Sequence, residues 1–132
     1  MQKKLPLKGV KMNIESIRTY CLSLPLVTED MPFDDTTVVF RVLGKIFLLL
    51  DLDRPEWVSM KCDADFAIEL RDAHTEIEGA FHMNKKYWNQ LNLYGFLDDA
   101  LIERLIRHSY SEVVKKMTRK QKAENPEITT VE

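Results

Sequence analysis

The chain has 132 residues, 45% apolar and 30% charged, which is enough to bury a core and typical of one globular domain. Its formal net charge of −2 demands neither a nucleic-acid nor a membrane partner. Cys21 and Cys62 form no disulfide framework and no CxxC metal knuckle, and no apolar run reaches the roughly 18 residues of a membrane span, so a reduced, cytoplasmic setting is expected.

The opening MQKKLPLKGVKM carries basic residues but no apolar signal-peptide core. Residues 1–11 therefore read as a loose extension, with Met12 as an alternative start. Asn13 suits the N-cap of a helix over IESIRTYCLSL, whose Ile14, Ile17, Cys21 and Leu24 share one face, and Pro25 ends it. VTEDMPFDD reads as an acidic loop.

Val38, Phe40 and Val42 then alternate with Thr37, Val39 and Arg41, which predicts a strand. A second β-rich run follows Gly44-Lys45 and reaches Leu50. Two residues between strands, with Gly first, predict a type II′ hairpin turn at Gly44-Lys45. A phosphate loop would need more glycines and a helix directly after. In this register Val42 opposes Phe47 and Phe40 opposes Leu49 on the core side. Arg41–Leu48 and Val39–Leu50 then lie on the other side.

WVSMKC predicts a third strand with Val58, Met60 and Cys62 on one side. Asp63 caps a short helix, ADFAIELRDA. IEGAF and KYWNQLNL read as two further strands joined by HMNK. Asp98 or Asp99 starts a long helix to about Met117, with an apolar stripe of Leu101, Leu105, Tyr110, Val113, Val114 and Met117. TRKQKAENPEITTVE lacks core residues and reads as a flexible tail. The expected organisation is a single domain over 12–117 followed by a flexible 118–132.

The order α-β-β-β-α-β-β-α predicts an α+β two-layer sandwich, a mostly antiparallel sheet with helices on one face. The opposite face then carries Arg41, Trp57, Lys61, Trp88 and Gln90 together with Val39, Leu48 and Leu50. That is more apolar than a solvated sheet face. Either the tryptophans are buried structurally, or the face is a contact surface for a protein, a small ligand or a second copy in a homodimer.

Little catalytic chemistry stands out. His74, His82 and His108 are isolated from one another and from the cysteines, so no metal site is expected. Both cysteines sit on predicted core faces and should be inert thiols. Glu29-Asp30, Asp34-Asp35 and Asp98-Asp99 read as loop and cap carboxylates. No P-loop, catalytic triad or paired general acid and base appears, so neither a cofactor nor an enzymatic activity is expected.

Four blocks in order carry a resemblance: Gly44-Lys45-Ile46-Phe47, Lys61 with its acidic follower, Asn84-Lys85-Lys86 before Trp88, and Ser109-Tyr110 in the last helix. Together they resemble the MmcQ/YjbR proteins over about residues 12–120. The resemblance implies a CyaY/frataxin-like fold and DNA binding through a double wing. The hairpin tip at Gly44-Lys45 would be one wing and the Asn84-Lys85-Lys86 turn the other. Lys45, Lys85 and Lys86 would then touch phosphates, Trp57 and Trp88 would stack on bases or sugars, and Arg41 and Lys61 would lie beside them. Lys115, Lys116, Arg119, Lys120 and Lys122 form a basic run suited to a helix C-terminus. Frataxin-type iron binding is not implied, because the first helix offers only Glu15 where an acidic ridge is needed.

Overall fold

The computed structural model describes residues 11–131. The extension expected over 1–11 lies outside them, apart from Lys11. The elements are α1 (Ile14–Ser23), β1 (Val27–Asp30), β2 (Thr37–Val42), β3 (Lys45–Asp51), β4 (Trp57–Lys61), α2 (Ala64–Ala73), β5 (Ile77–Gly79), β6 (Trp88–Asn92), α3 (Asp99–Val114), α4 (Arg119–Glu124) and a 3-10 helix (Pro126–Thr130). The strands form one antiparallel sheet in the order β1-β2-β3-β4-β6-β5. The core fills the space between one face of that sheet and the helices. This is the α+β sandwich expected from the sequence.

Local chemistry starts the helices where the sequence places them. The Asn13 side chain accepts from the Ser16 N–H at 2.9 Å, and the Ser16 hydroxyl accepts from the Asn13 N–H at 2.8 Å, a reciprocal cap. Ile17 and Cys21, one turn apart, are then fully buried. The Asp63 carboxylate accepts from the Phe66 N–H at 3.0 Å and starts α2. At α3, Asp98 holds the N-cap position, while Asp99 accepts from the Met12 N–H at 3.0 Å and ties the chain start to the long helix.

The acidic segment after α1 is not all loop. Val27–Asp30 pairs with β2 as an edge strand. Its acids point alternately to the two faces, and each finds a cation there. Arg18 of α1 donates to Glu29 at 2.7 Å, and Arg41 of β2 donates to Asp30 at 2.9 Å. Charge density suggested a loop, but period-2 pairing with cations supplied by other elements makes a strand.

The hairpin register also differs from expectation. The turn is Leu43-Gly44, with φ of 48° and 83°, so that Val42 faces Lys45 and Arg41 faces Ile46. Two positive φ values are the type I′ pattern, which matches the strand twist as type II′ also does. The register then shifts, and Phe40 faces Leu48, Val39 faces Leu49 and Val38 faces Leu50. Phe47 is the extra residue of a β-bulge. Phe47 and Leu48 are therefore both fully buried in the core. Leu48 and Leu50, expected on the open face, belong to the core, and Leu49, expected in the core, belongs to the open face.

The C-terminal segment is folded where a flexible tail was expected. The Thr118 hydroxyl accepts from the Gln121 N–H at 3.0 Å and starts α4. The 3-10 helix that follows inserts Ile128, 1% exposed, into the core. Ser111 of α3 donates to the Val131 carbonyl at 3.1 Å. One isolated isoleucine gives no periodic signal, so the segment looked core-free.

His108 is held between α2 and α3. Its Nε2 accepts from the Asp63 N–H at 3.2 Å, and its ring meets Phe66 edge-on at 5.0 Å. Burial pushes its pKa down, while the Glu112 carboxylate at 4.0 Å pulls weakly the other way. Protonation would remove the acceptor that Asp63 uses.

Three outcomes are expected. Ile128→Ala should cost about 2–4 kcal/mol, read as a lower denaturant midpoint with Arg119–Thr130 losing hydrogen-exchange protection. Gly44→Val should cost about 1–3 kcal/mol, because nothing lies within 4 Å of an added Cβ and the penalty is the positive φ itself. Because the folded pKa of His108 lies below its unfolded value of about 6.5, its contribution is present above that pH and lost as pH falls through the folded value. Denaturation at stepped pH should show that slope below about 6.5 in the wild type and a flatter one in His108→Gln.

Candidate nucleic-acid interface

Strand direction brings five elements to one end of the sheet. Lys45 is the first residue of β3, beside the turn, and is exposed. Lys61 ends β4 opposite Trp88, which begins β6. Lys116 follows α3 as that helix runs across β3 and β4. Arg41 lies on β2, where its guanidinium donates to Asp30 and, at 3.2 Å, to the Gly44 carbonyl, bracing the turn.

Aromatic rings space these cations. The Lys61 ammonium sits 5.5 Å from the Trp88 ring. Lys86 and Lys116 flank the Tyr87 ring at 5.4 Å and 5.9 Å. Each such pairing contributes about 0.5–1 kcal/mol and, more usefully here, fixes where the charge stands. Arg41, Lys45, Lys61 and Lys116 line a shared hollow of about 440 Å³ whose only acid among the described residues is Glu112. Glu112 is itself paired with Lys115 at 2.8 Å.

The second expected wing divides. The Asn84 side chain accepts from the Lys86 N–H at 3.0 Å, and its carbonyl accepts from the Tyr87 N–H at 3.1 Å, closing the turn. Lys86 reaches the Tyr87 ring, which it shares with Lys116. Lys85 turns back, donating to the Phe81 carbonyl at 3.1 Å and lying 5.8 Å from the Phe81 ring. The basic run after α3 divides as well: Lys115 pairs with Glu112, Lys120 lies 4.0 Å from Glu124, and Lys122 donates to the Lys115 carbonyl at 3.4 Å.

A groove of about 460 Å³ occupies the open sheet face beside this cluster. Leu49, Trp57, Ser59 and Gln90 form its floor. Its walls are Phe33-Asp34 before β2, Asp51 at the end of β3 with Arg54 after it, and Phe81-His82-Met83 between β5 and β6. Phe33 and Phe81 are 65% and 64% exposed on the rim. Gln90 is held in place, accepting from the Phe81 N–H at 3.1 Å and donating to Glu78 at 3.0 Å. The two tryptophans separate in character. Trp57 is half-buried and lines the groove, whereas Trp88 is 7% exposed and capped by Lys61.

Other chemistry is quiet. Among the described residues no three His, Cys, Asp or Glu side chains gather where they could hold a metal ion. Both cysteines are buried, and burial pushes their thiols up, that of Cys62 to about 12. Neither is a thiolate at neutral pH. Among the described residues no helix is long and apolar enough to cross a membrane.

Sequence reasoning missed Tyr87 as the joint between Lys86 and Lys116, and Phe33, Arg54, Phe81 and His82 as groove walls. A phenylalanine standing alone in the polar loop MPFDD was the available signal. The role of Tyr87 depends on α3 lying near the β5–β6 turn and has no local mark.

Known proteins share this arrangement of strands and helices. A family model described as YjbR matches residues 22–112. The uncharacterised YbdF of Escherichia coli O157:H7 is 31% identical over 101 residues, covering 76% of this chain and 83% of that protein. The uncharacterised YjbR of Escherichia coli K12 is 27% identical over 104 residues, covering 78% and 88%. The crystal structure of DR2400 from Deinococcus radiodurans, described by the domain DUF419, superposes with a TM-score of 0.81 at 36% identity over 88% of this chain and 89% of that one. A Pseudomonas syringae protein superposes with a TM-score of 0.64 at 25% identity over 74% and 96%. The family pattern runs from the end of α1 into α3, spanning the whole sheet, and the chain belongs to the YjbR family.

Proposed function

We propose that this YjbR-family protein is a non-enzymatic, cytoplasmic DNA-binding protein that holds phosphates with the cations at the hairpin end of its sheet. The observation that carries the reading is the convergence of Lys45, Lys61, Lys86 and Lys116 from four separate parts of the chain. None of the four makes an ion pair among the described residues. Lys61, Lys86 and Lys116 rest on aromatic rings and are partly pre-positioned, which lowers the side-chain entropy lost on binding, whereas Lys45 is held only by its place beside the turn. Phosphate contacts of this kind fix position and carry no sequence information. The groove beside them offers the open-face contact surface that the sequence suggested, and its polar groups suit a small or planar ligand better than a second copy of the chain. The wings of this reading are Gly44-Lys45 and Asn84-Lys86.

The test is a salt titration of duplex-DNA binding by fluorescence anisotropy. The variant Lys45→Ala/Lys86→Ala/Lys116→Ala should bind more weakly, to a similar degree across unrelated sequences. Its slope of log affinity against log salt should be shallower by up to about 2.7, at about 0.9 for each phosphate that is no longer neutralised. Lys85→Ala, whose ammonium is turned toward Phe81, should change the slope little. Absence of wild-type binding at low salt, or an unaltered slope in the triple variant, would overturn the reading.

A further inference from the structure

Resting on that reading, we propose that the open-face groove is a pocket for one unpaired base of single-stranded DNA, with the adjoining phosphate on Lys61 and the hairpin-end cations. Three observations point to this occupant. The first is spacing. Lys61, Ser59 and Trp57 are alternate residues of β4 on one sheet face. Successive members stand about 6.6 Å apart along the strand, close to the repeat of a stretched nucleic-acid backbone. A base over Ser59 and Trp57 therefore places its phosphate near Lys61.

The second is the chemistry of the walls. Trp57 on the floor and Phe81 on the rim offer flat apolar surfaces to a ring. The Ser59 hydroxyl and the Trp57 indole N–H make no hydrogen bond among the described residues. They remain for the polar edge of a ligand, beside an amide of Gln90 that is already fixed. A volume of about 460 Å³ suits a nucleoside-sized guest.

The third is the charge at the two ends. Asp34 and Asp51 stand at the end remote from the hairpin, with Arg54 between the same walls. The backbone amides of Thr36 and Thr37 hold the Asp34 carboxyl ionised, at 2.9 Å and 2.7 Å. Two carboxylates against the one guanidinium of Arg54 leave that end net negative, while the unpaired lysines stand at the hairpin end, so one base enters and the backbone leaves toward Lys61 and the cations beyond it. A paired and stacked base cannot reach the groove, so the pocket selects single strands.

The test compares a short mixed-sequence oligonucleotide, single-stranded and annealed to its complement, by anisotropy and by intrinsic tryptophan fluorescence. The wild type should bind the single strand about tenfold or more tighter than the duplex, within the range of one stacked base. Single-strand binding should quench tryptophan emission. Phe81→Ala, on the exposed rim, should weaken single-strand affinity about five- to tenfold and leave duplex affinity unchanged. Trp57→Phe should retain most of the affinity and lose most of the quench, leaving only what a phosphate on Lys61 does to Trp88. Equal affinity for both forms, or Phe81→Ala neutral together with an undiminished quench in Trp57→Phe, would overturn the base pocket and leave the phosphate reading intact. No binding to either form at low salt would overturn both.

Discussion

Phe47 has no partner across the hairpin, and the two layers of the molecule depend on that mismatch. Regular alternation would point Phe47 and Leu48 to opposite faces of the sheet. With the extra residue in β3, both enter the core. Phe47 meets Tyr110 of α3 edge-on, with ring centroids 5.6 Å apart. The Tyr110 hydroxyl, its pKa pushed up to about 12 by burial, stays protonated and donates to the Pro25 carbonyl at 2.7 Å. One bulge thus seats the long helix, and that helix in turn fixes the connection between α1 and β1. The same shift turns Leu49 outward, where it becomes part of the groove floor.

The electrostatics follow from which charges the fold consumes. A chain of net charge −2 presents a cationic end because its acids are engaged elsewhere. Glu29 and Asp30 are paired with Arg18 and Arg41 on the two faces of β1. Asp34, Asp63 and Asp99 accept from backbone amides in turns and near helix starts. Glu76 accepts from the Phe96 N–H at 3.0 Å, which holds its carboxyl below the usual range. The lysines at the hairpin end are instead spaced by Tyr87 and Trp88. Summed charge averages over this separation, whereas a ligand meets the local field.

Stability and the site are linked through the far end of the chain. Ile128 closes the core beneath α3, and α4 connects it to the turn that carries Lys116. The C-terminal segment therefore covers apolar surface beside the turn that carries Lys116, a turn closed by the Lys116 N–H on the Val113 carbonyl. His108 performs a similar joining task between α2 and α3 by accepting the N–H of Asp63, the residue that caps the start of α2.

Short-range physics was legible in the residues alone. The Asn13 and Asp63 caps, the alternation of Thr37–Val42, the Leu105, Tyr110, Val113 and Val114 part of the α3 stripe and the buried cysteines all follow from contacts within a few positions, and together they determined the α+β sandwich and its antiparallel sheet, although α3 buries Ile102 and Ile106 where Leu101 was expected. The four blocks in order marked the family for the same reason, since each is a local pattern. Where the outcome depended on partners distant in the chain, local pattern was silent or misleading. β1 needed cations from α1 and β2 before its acids could pair. The hairpin settled on Leu43-Gly44 because a bulge at Phe47 satisfied the core, which no turn rule anticipates. Ile128 became a core residue only when α3 was there to receive it. The gathering of Lys45, Lys61, Lys86 and Lys116, and the groove that separates Trp57 from the capped Trp88, were decided by tertiary structure, because side chains from separate elements acquire a shared surface only when packing brings their backbones together.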